Sequence, residues 1–278
     1  MGKISPEAKK KYFDKVKEYK RSVEKIVQHE KHLLEVIHKD DTGAQYKRLT
    51  LADENLNLVS YFTLLNALSV TLLGVKNEAF LNDARKCCYK SVIYLEDVVS
   101  PFVDVPFSEY EERLQMIDGF EDTKRFELVR KLGFAITSVE NAFGEGTKWK
   151  WSFVELEGRF AAVAKNLLNL KTLVSGLDPR SDGYEARLAY VALVKRLLQQ
   201  SADRYREKYE LSTLRVDDFK KAITFLSALR RLHMILGETG EAEIVKKKAE
   251  IWNSKMDADE KKLEQQARME RLQRTRQT

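Results

Sequence analysis

Residues 56–73 of this 278-residue chain, Leu-Asn-Leu-Val-Ser-Tyr-Phe-Thr-Leu-Leu-Asn-Ala-Leu-Ser-Val-Thr-Leu-Leu, contain no charged side chain, although 33% of the whole chain is Asp, Glu, Lys or Arg. A helix apolar on nearly every side cannot face water, so the stretch belongs in a protein core or in a bilayer. Its length meets the minimum for a span, roughly 27 Å of rise. Against a span, Asn57, Ser60, Thr63, Asn66 and Ser69 recur every third residue, and a lone span has nowhere to place two asparagines. The same helix starts about ten residues earlier with ordinary charged turns. The stretch therefore reads as a central core helix shielded by the helices before and after it, with Leu58, Phe62, Leu65, Leu68 and Leu72 toward the core. A membrane partner is not expected.

With only four prolines and twelve glycines, long runs of good helix formers are left uninterrupted, and the expected fold is all-α. About nine antiparallel helices are expected, as an elongated helical bundle or an irregular array of helical hairpins. Ser5 as N-cap, Pro6 at the first helical position and Glu7 near the positive end of the dipole start helix one. Its seam, Tyr12, Val16, Tyr19, Val23, Ile26, Glu30, Leu33 and Ile37, alternates steps of four and three, as a coiled-coil stripe does. Glu30 is the polar residue in that seam and a candidate for fixing register.

Helix two is expected over 44–73, stopped by Gly74, and helix three after Asn77, with Leu81, Ala84, Cys88, Val92, Leu95 and Val99 on one face. Capping boxes at Ser108/Glu111, Asp118/Glu121 and Asp182/Glu185 predict three further starts. Long helices are expected over 121–143, from 149 to 174, from 182 to 211, around Phe219–Leu236 and from Glu241 onward.

These elements divide as an N-terminal three-helix unit (1–99), an acidic connection with a short helix (100–120), a C-terminal helical unit (121–260) and a basic helical tail (261–278). The net charge of +6 is unevenly placed. Residues 1–25 carry nine Lys/Arg against four Asp/Glu, residues 261–278 six against two, and residues 96–122 nine acids against Arg113 alone. Such asymmetry marks solvated faces or complementary interfaces. Cys87 and Cys88 are adjacent, and neighbouring side chains on a helix point about 100° apart, which would strain a mutual disulfide. Gly2 is followed by Pro6 where a myristoylation motif wants Ser or Thr, and no apolar signal region follows. A cytoplasmic location is the expectation.

Several chemistries lose their support in the residues. Glu35 and His38 form one E-x-x-H, but His29, His32 and His233 supply no second copy for a two-metal bundle, and His29 and His32 fall one residue short of the zinc spacing. Gly144-Glu145-Gly146-Thr147-Lys148 has the order Gly-Thr-Lys where a phosphate loop needs Gly-Lys-Ser/Thr. No nucleophile elbow is present, and Cys87 and Cys88 read as small core residues. Trp149, Trp151 and Phe153, interleaved with Lys148 and Lys150, read as a staple at a helix start. No catalytic, metal or cofactor-binding residue is assigned, and no cofactor is expected.

The functional expectation is a non-enzymatic scaffold or adaptor that binds a protein partner through helix faces. Its candidate contacts are Asp104, Glu109, Glu111 and Glu112 in the acidic connection, Lys9, Lys10 and Lys11 in helix one, and Arg268, Arg271 and Arg274 in the tail. Self-association of the acidic connection with the basic tail is a variant of this reading. The alternative is nucleic-acid binding by the same basic ends, Lys15 and Arg276 included.

Overall fold

A computed structural model describes residues 4–275 of the chain, and side chains as far as Gln266 together with Met269. Gly2 and the side chains of Arg268, Arg271, Arg274 and Arg276 lie outside the described residues. The fold is all-α: ten α-helices and no strand occur among the described residues.

In α1 (Pro6–Lys39) the Ser5 Oγ accepts from Ala8 N at 3.1 Å, satisfying one of the free N–H groups of the first turn. Helix α2 (Ala44–Leu73) ends at Gly74, whose φ of +66° is the left-handed conformation that favours glycine. Asn77 caps α3 (Glu78–Val98), its Oδ1 accepting from Phe80 N at 3.2 Å. The three helices alternate in direction: Tyr12 and Val16, early in α1, pack with Leu65, Leu68 and Leu72, late in α2, and with Phe80 at the start of α3. Leu65 and Leu81 are fully buried, worth about 2 kcal/mol each.

The Ser108/Glu111 capping box does not form. Residues Phe107–Glu109 make a 3-10 turn, Tyr110 precedes α4 (Glu111–Gln115), and the Glu111 carboxylate instead takes Lys171 Nζ at 2.9 Å. Helix α5 (Asp122–Phe143) starts after Glu121 without a side-chain cap. Here Arg125, 2% exposed, donates to the carbonyls of Phe120, Ile117 and Leu167 at 2.6, 3.1 and 3.2 Å. It ties the turn after α4 to the C-terminal end of α6 (Lys150–Asn166). Before α8 (Tyr184–Lys208) stands Gly183 at φ +75°, so Asp182 is not its cap.

The helix expected from 149 to 174 is two helices, which raises the count from nine to ten. The buried Asn166 amide donates to Ser100 O and Phe102 O, both at 2.9 Å, and Asn169 then caps α7 (Leu170–Gly176) by accepting from Lys171 N. Polar residues with better partners elsewhere break the ladder there. The expected end at 211 is also revised: α8 gives way to a π turn, Tyr209–Thr213, closed by Leu214 at φ +48°.

Packing divides the chain into two compact units. One is Met1–Phe102 with Pro106–Tyr190, the other Val103–Val105 with Val191–Thr278. The two-proline segment, read from sequence as part of the connection, thus contributes three residues to the second unit, and the other division falls inside α8. In the second unit α8 runs antiparallel to α9 (Val216–Ile235), with Lys195 on Glu238 at 2.6 Å and Tyr205 stacked on Phe225 at 5.6 Å. Helix α10 (Thr239–Thr275) runs parallel to α8, joined by Lys248 to Asp203 at 2.9 Å, and buries Val245, Trp252 and Met256.

Candidate functional site

Glu30 lies where the first three helices meet. It is 3% exposed and its carboxylate accepts from Asn55 Nδ2 of α2 at 3.0 Å and from Lys90 Nζ and Tyr94 Oη of α3 at 2.9 and 2.7 Å. One residue earlier His29 Nδ1 stands 2.7 Å from Glu54 Oε1. Burial, followed by the hydrogen bond to Glu30, pushes the Tyr94 phenol up, so it stays a donor. The polar residue of the seam therefore sets the register of α1 on α2 and α3.

Beyond this node the seal over α2 opens. Lys131 of α5 donates to Asp53 Oδ1 and Asn57 Oδ1 of α2 at 2.6 and 2.9 Å, and α5 ends where Lys76 Nζ donates to Phe143 O at 2.7 Å. Between these two fastenings α2 keeps an outward strip. Ser60, Leu64, Ala67 and Thr71 are exposed, Leu64 at 39%, and Val70 beside them at 47%. A cleft of about 300 Å³ opens at its lower end, lined by Ile26, Asn57, Ser60, Tyr61 and Leu64. The expectation of a core helix shielded by α1 and α3 holds for the first half of α2, where Leu51, Leu56 and Leu58 are at most 2% exposed. In the second half it holds on the inner side, where Leu65 is fully buried and Phe62, Leu68 and Leu72 pack around it, while the outer side stays uncovered because two or three neighbours cannot enclose an apolar helix. By length and hydropathy α2 is also the one helix among the described residues apolar enough to cross a membrane, and 33% of its most apolar window is buried.

The periodic polar residues of α2 all find partners. Asn57 takes Lys131, Ser60 and Thr63 donate back to Leu56 O and Val59 O, Asn66 Oδ1 accepts from Asn77 N, and Ser69 Oγ donates to Val75 O. What sequence reasoning missed is the second pattern in the same helix. Ser60, Leu64, Ala67 and Thr71 are spaced four, three and four apart, a seam in its own right.

Most of the acidic connection is engaged within the chain. Glu96 holds Arg159 through both carboxylate oxygens, Asp97 lies 3.7 Å from Arg48, Asp104 2.9 Å from Arg231, and Asp122 2.7 Å from Arg187. Of the four acids singled out, Asp104 and Glu111 are in such pairs, while Glu109 and Glu112 are exposed. Lys9, Lys10 and Lys11 are exposed on α1. Among the described residues these lysines form no ion pair with Glu109 or Glu112, and the tail arginines lie outside the described side chains.

The other candidates are structural. Trp149 lies half-buried under Arg85, 3.9 Å from guanidinium carbon to ring centre, and Phe153 is fully buried. Among the described residues no three His, Cys, Asp or Glu side chains converge as a metal site. Cys87 and Cys88 are buried, and burial pushes the Cys87 thiol up to about 12 and raises Cys88 as well. Both thiols are expected to resist maleimide in the native protein at neutral pH and to react fully in denaturant, as read by intact mass. Labelling of native Cys87 at the denatured rate would show that the α3 face opens.

Residues 8–260 match the TP0443 family, so the chain belongs to that family. No curated protein and no solved structure matches it.

Proposed function

We propose that this TP0443-family chain is a non-enzymatic helical adaptor that takes an amphipathic helix of a protein partner along the open strip of α2. The observation that carries the reading is the strip itself: Ser60, Leu64, Ala67 and Thr71, exposed at heptad spacing over about 16 Å and continuous with the cleft beside Ile26 and Tyr61. Small side chains at 60 and 67 let a partner helix approach to within about 8–10 Å between axes, and Leu64 supplies the knob. The strongest polar groups of the first unit, Glu30, Glu96 and Arg125, are occupied in joining helices, which suits a framework more than a reaction centre.

Site-specific photo-crosslinking in the native source tests this. A photoreactive residue at Leu64 or Ala67 is expected to give an adduct of one defined mass, and the same residue at exposed Lys247 of α10 to give none. Leu64→Glu is expected to abolish the adduct formed from Ala67 while changing stability by no more than about 1 kcal/mol, since the side chain is 39% exposed and a carboxylate can reach water there. An adduct that survives Leu64→Glu would move the partner to another face.

A further inference from the structure

The opposite flank of α1 carries a second surface of a different kind. Phe13 is 64% exposed. On a helix its neighbours are the residues three, four and seven away, and these include Lys9, Lys10, Lys17 and Lys20, all exposed. Of the acids in the same segment, Glu18 Oε2 stands 2.8 Å from Lys15 Nζ on another edge, Asp14 is exposed at the margin beside Lys10 and Lys17, and the lysine-rich face runs as far as Glu24. The packing of Tyr12 against the late turns of α2 puts this flank at the end of the three-helix hairpin where the α2–α3 turn presents Val75, 50% exposed, next to Lys76.

We propose that this end of the protein docks on an anionic bilayer surface, with Phe13 entering the headgroup boundary and the surrounding lysines meeting lipid phosphates. The flank is convex and belongs to one helix, so it offers no groove to a folded partner, whereas a fluid headgroup layer conforms to it. Lysine stems reach past an apolar centre to place their charges at the interface while the ring is buried, the arrangement of surface-lying basic helices. Anionic leaflets attract such lysines, and the attraction is screened by salt. This is attachment to the surface, distinct from a crossing by α2, and it does not depend on the partner strip.

Co-sedimentation of the full chain with unilamellar vesicles tests it. Binding is expected to vesicles of phosphatidylcholine mixed with phosphatidylglycerol at low salt, with loss at high salt. Lys10→Glu combined with Lys17→Glu is expected to lower the partition by about tenfold or more, and Phe13→Ser by about fivefold with the salt dependence kept. Circular dichroism verifies that these exposed positions leave the helices intact. Equal binding to phosphatidylcholine alone would assign the affinity to α2 and overturn the proposal. So would an unchanged partition of the double lysine variant, or binding of an oligonucleotide at low salt with anionic vesicles ignored.

Discussion

Glu30→Ala is expected to destabilise the first unit by about 2–4 kcal/mol, the cost of leaving two buried donors without their acceptor. The substitution removes the acceptor of the Tyr94 hydroxyl and of one Asn55 N–H, whose amide keeps its bond to Leu51 O, while Lys90, half exposed, recovers water. Glu30→Gln keeps the volume and one accepting oxygen but turns an amide donor toward groups that are themselves donors, for a loss of about 1–3 kcal/mol. Denaturant midpoints at unchanged slope measure both. A wild-type midpoint in Glu30→Ala would remove this residue as the link between α1, α2 and α3.

The same residue sets a pH dependence with a definite sign. Burial alone pushes the Glu30 pKa upward, but the hydrogen bonds from Asn55, Lys90 and Tyr94 together outweigh it and hold the net value below the ordinary 4.5. A carboxylate whose folded pKa is depressed contributes stability that is complete above its unfolded value and is lost as pH falls through the folded one. The stability gap between wild type and Glu30→Gln is therefore expected to stay constant from neutral pH to about pH 5 and to close in more acidic solution. A gap that widened toward acid would mean that Glu30 is held protonated in the folded state.

Local signals are enough for the helix ends of the first hundred residues. Ser5, Pro6, Gly74 and Asn77 stand at the helix ends that their chemistry predicts, and the seam of α1 singled out Glu30 before its partners were known. The features that were not legible depend on distant residues. The break between α6 and α7 follows from Asn166 reaching Ser100 and Phe102, 66 and 64 positions away. Glu111 looks like a capping residue until Lys171 claims it. The open strip of α2 was hidden for a related reason: apolar composition says that a helix wants cover, and only the path of α5 says on which turns cover is missing. The four-three-four spacing of Ser60, Leu64, Ala67 and Thr71 was readable, but it was masked by the overlapping three-residue recurrence of Asn57, Ser60, Thr63, Asn66 and Ser69.

Arg125→Met is expected to cost about 3–5 kcal/mol, because methionine fills the volume and satisfies none of the three carbonyls that the guanidinium holds. Burial lowers the Arg125 pKa, and nearby Asp122 opposes that effect, yet arginine remains charged over the whole accessible pH range. Its fork reaches Phe120 O through Nε and Ile117 O and Leu167 O through the two terminal nitrogens, so one cation serves the turn after α4 and the negative end of α6 together. Lysine cannot span three acceptors in that geometry, and Arg125→Lys is expected to recover less than half of the loss. Thermal unfolding measures both, and hydrogen exchange is expected to localise the loosening to residues 117–121 and α7. A methionine variant within about 0.5 kcal/mol of wild type would show that these carbonyls are served by water. Paired with Leu64→Glu, the variant separates framework from contact. Below its own melting temperature Arg125→Met should retain the crosslink at Ala67 with reduced stability, whereas Leu64→Glu should lose the crosslink with most of the stability kept.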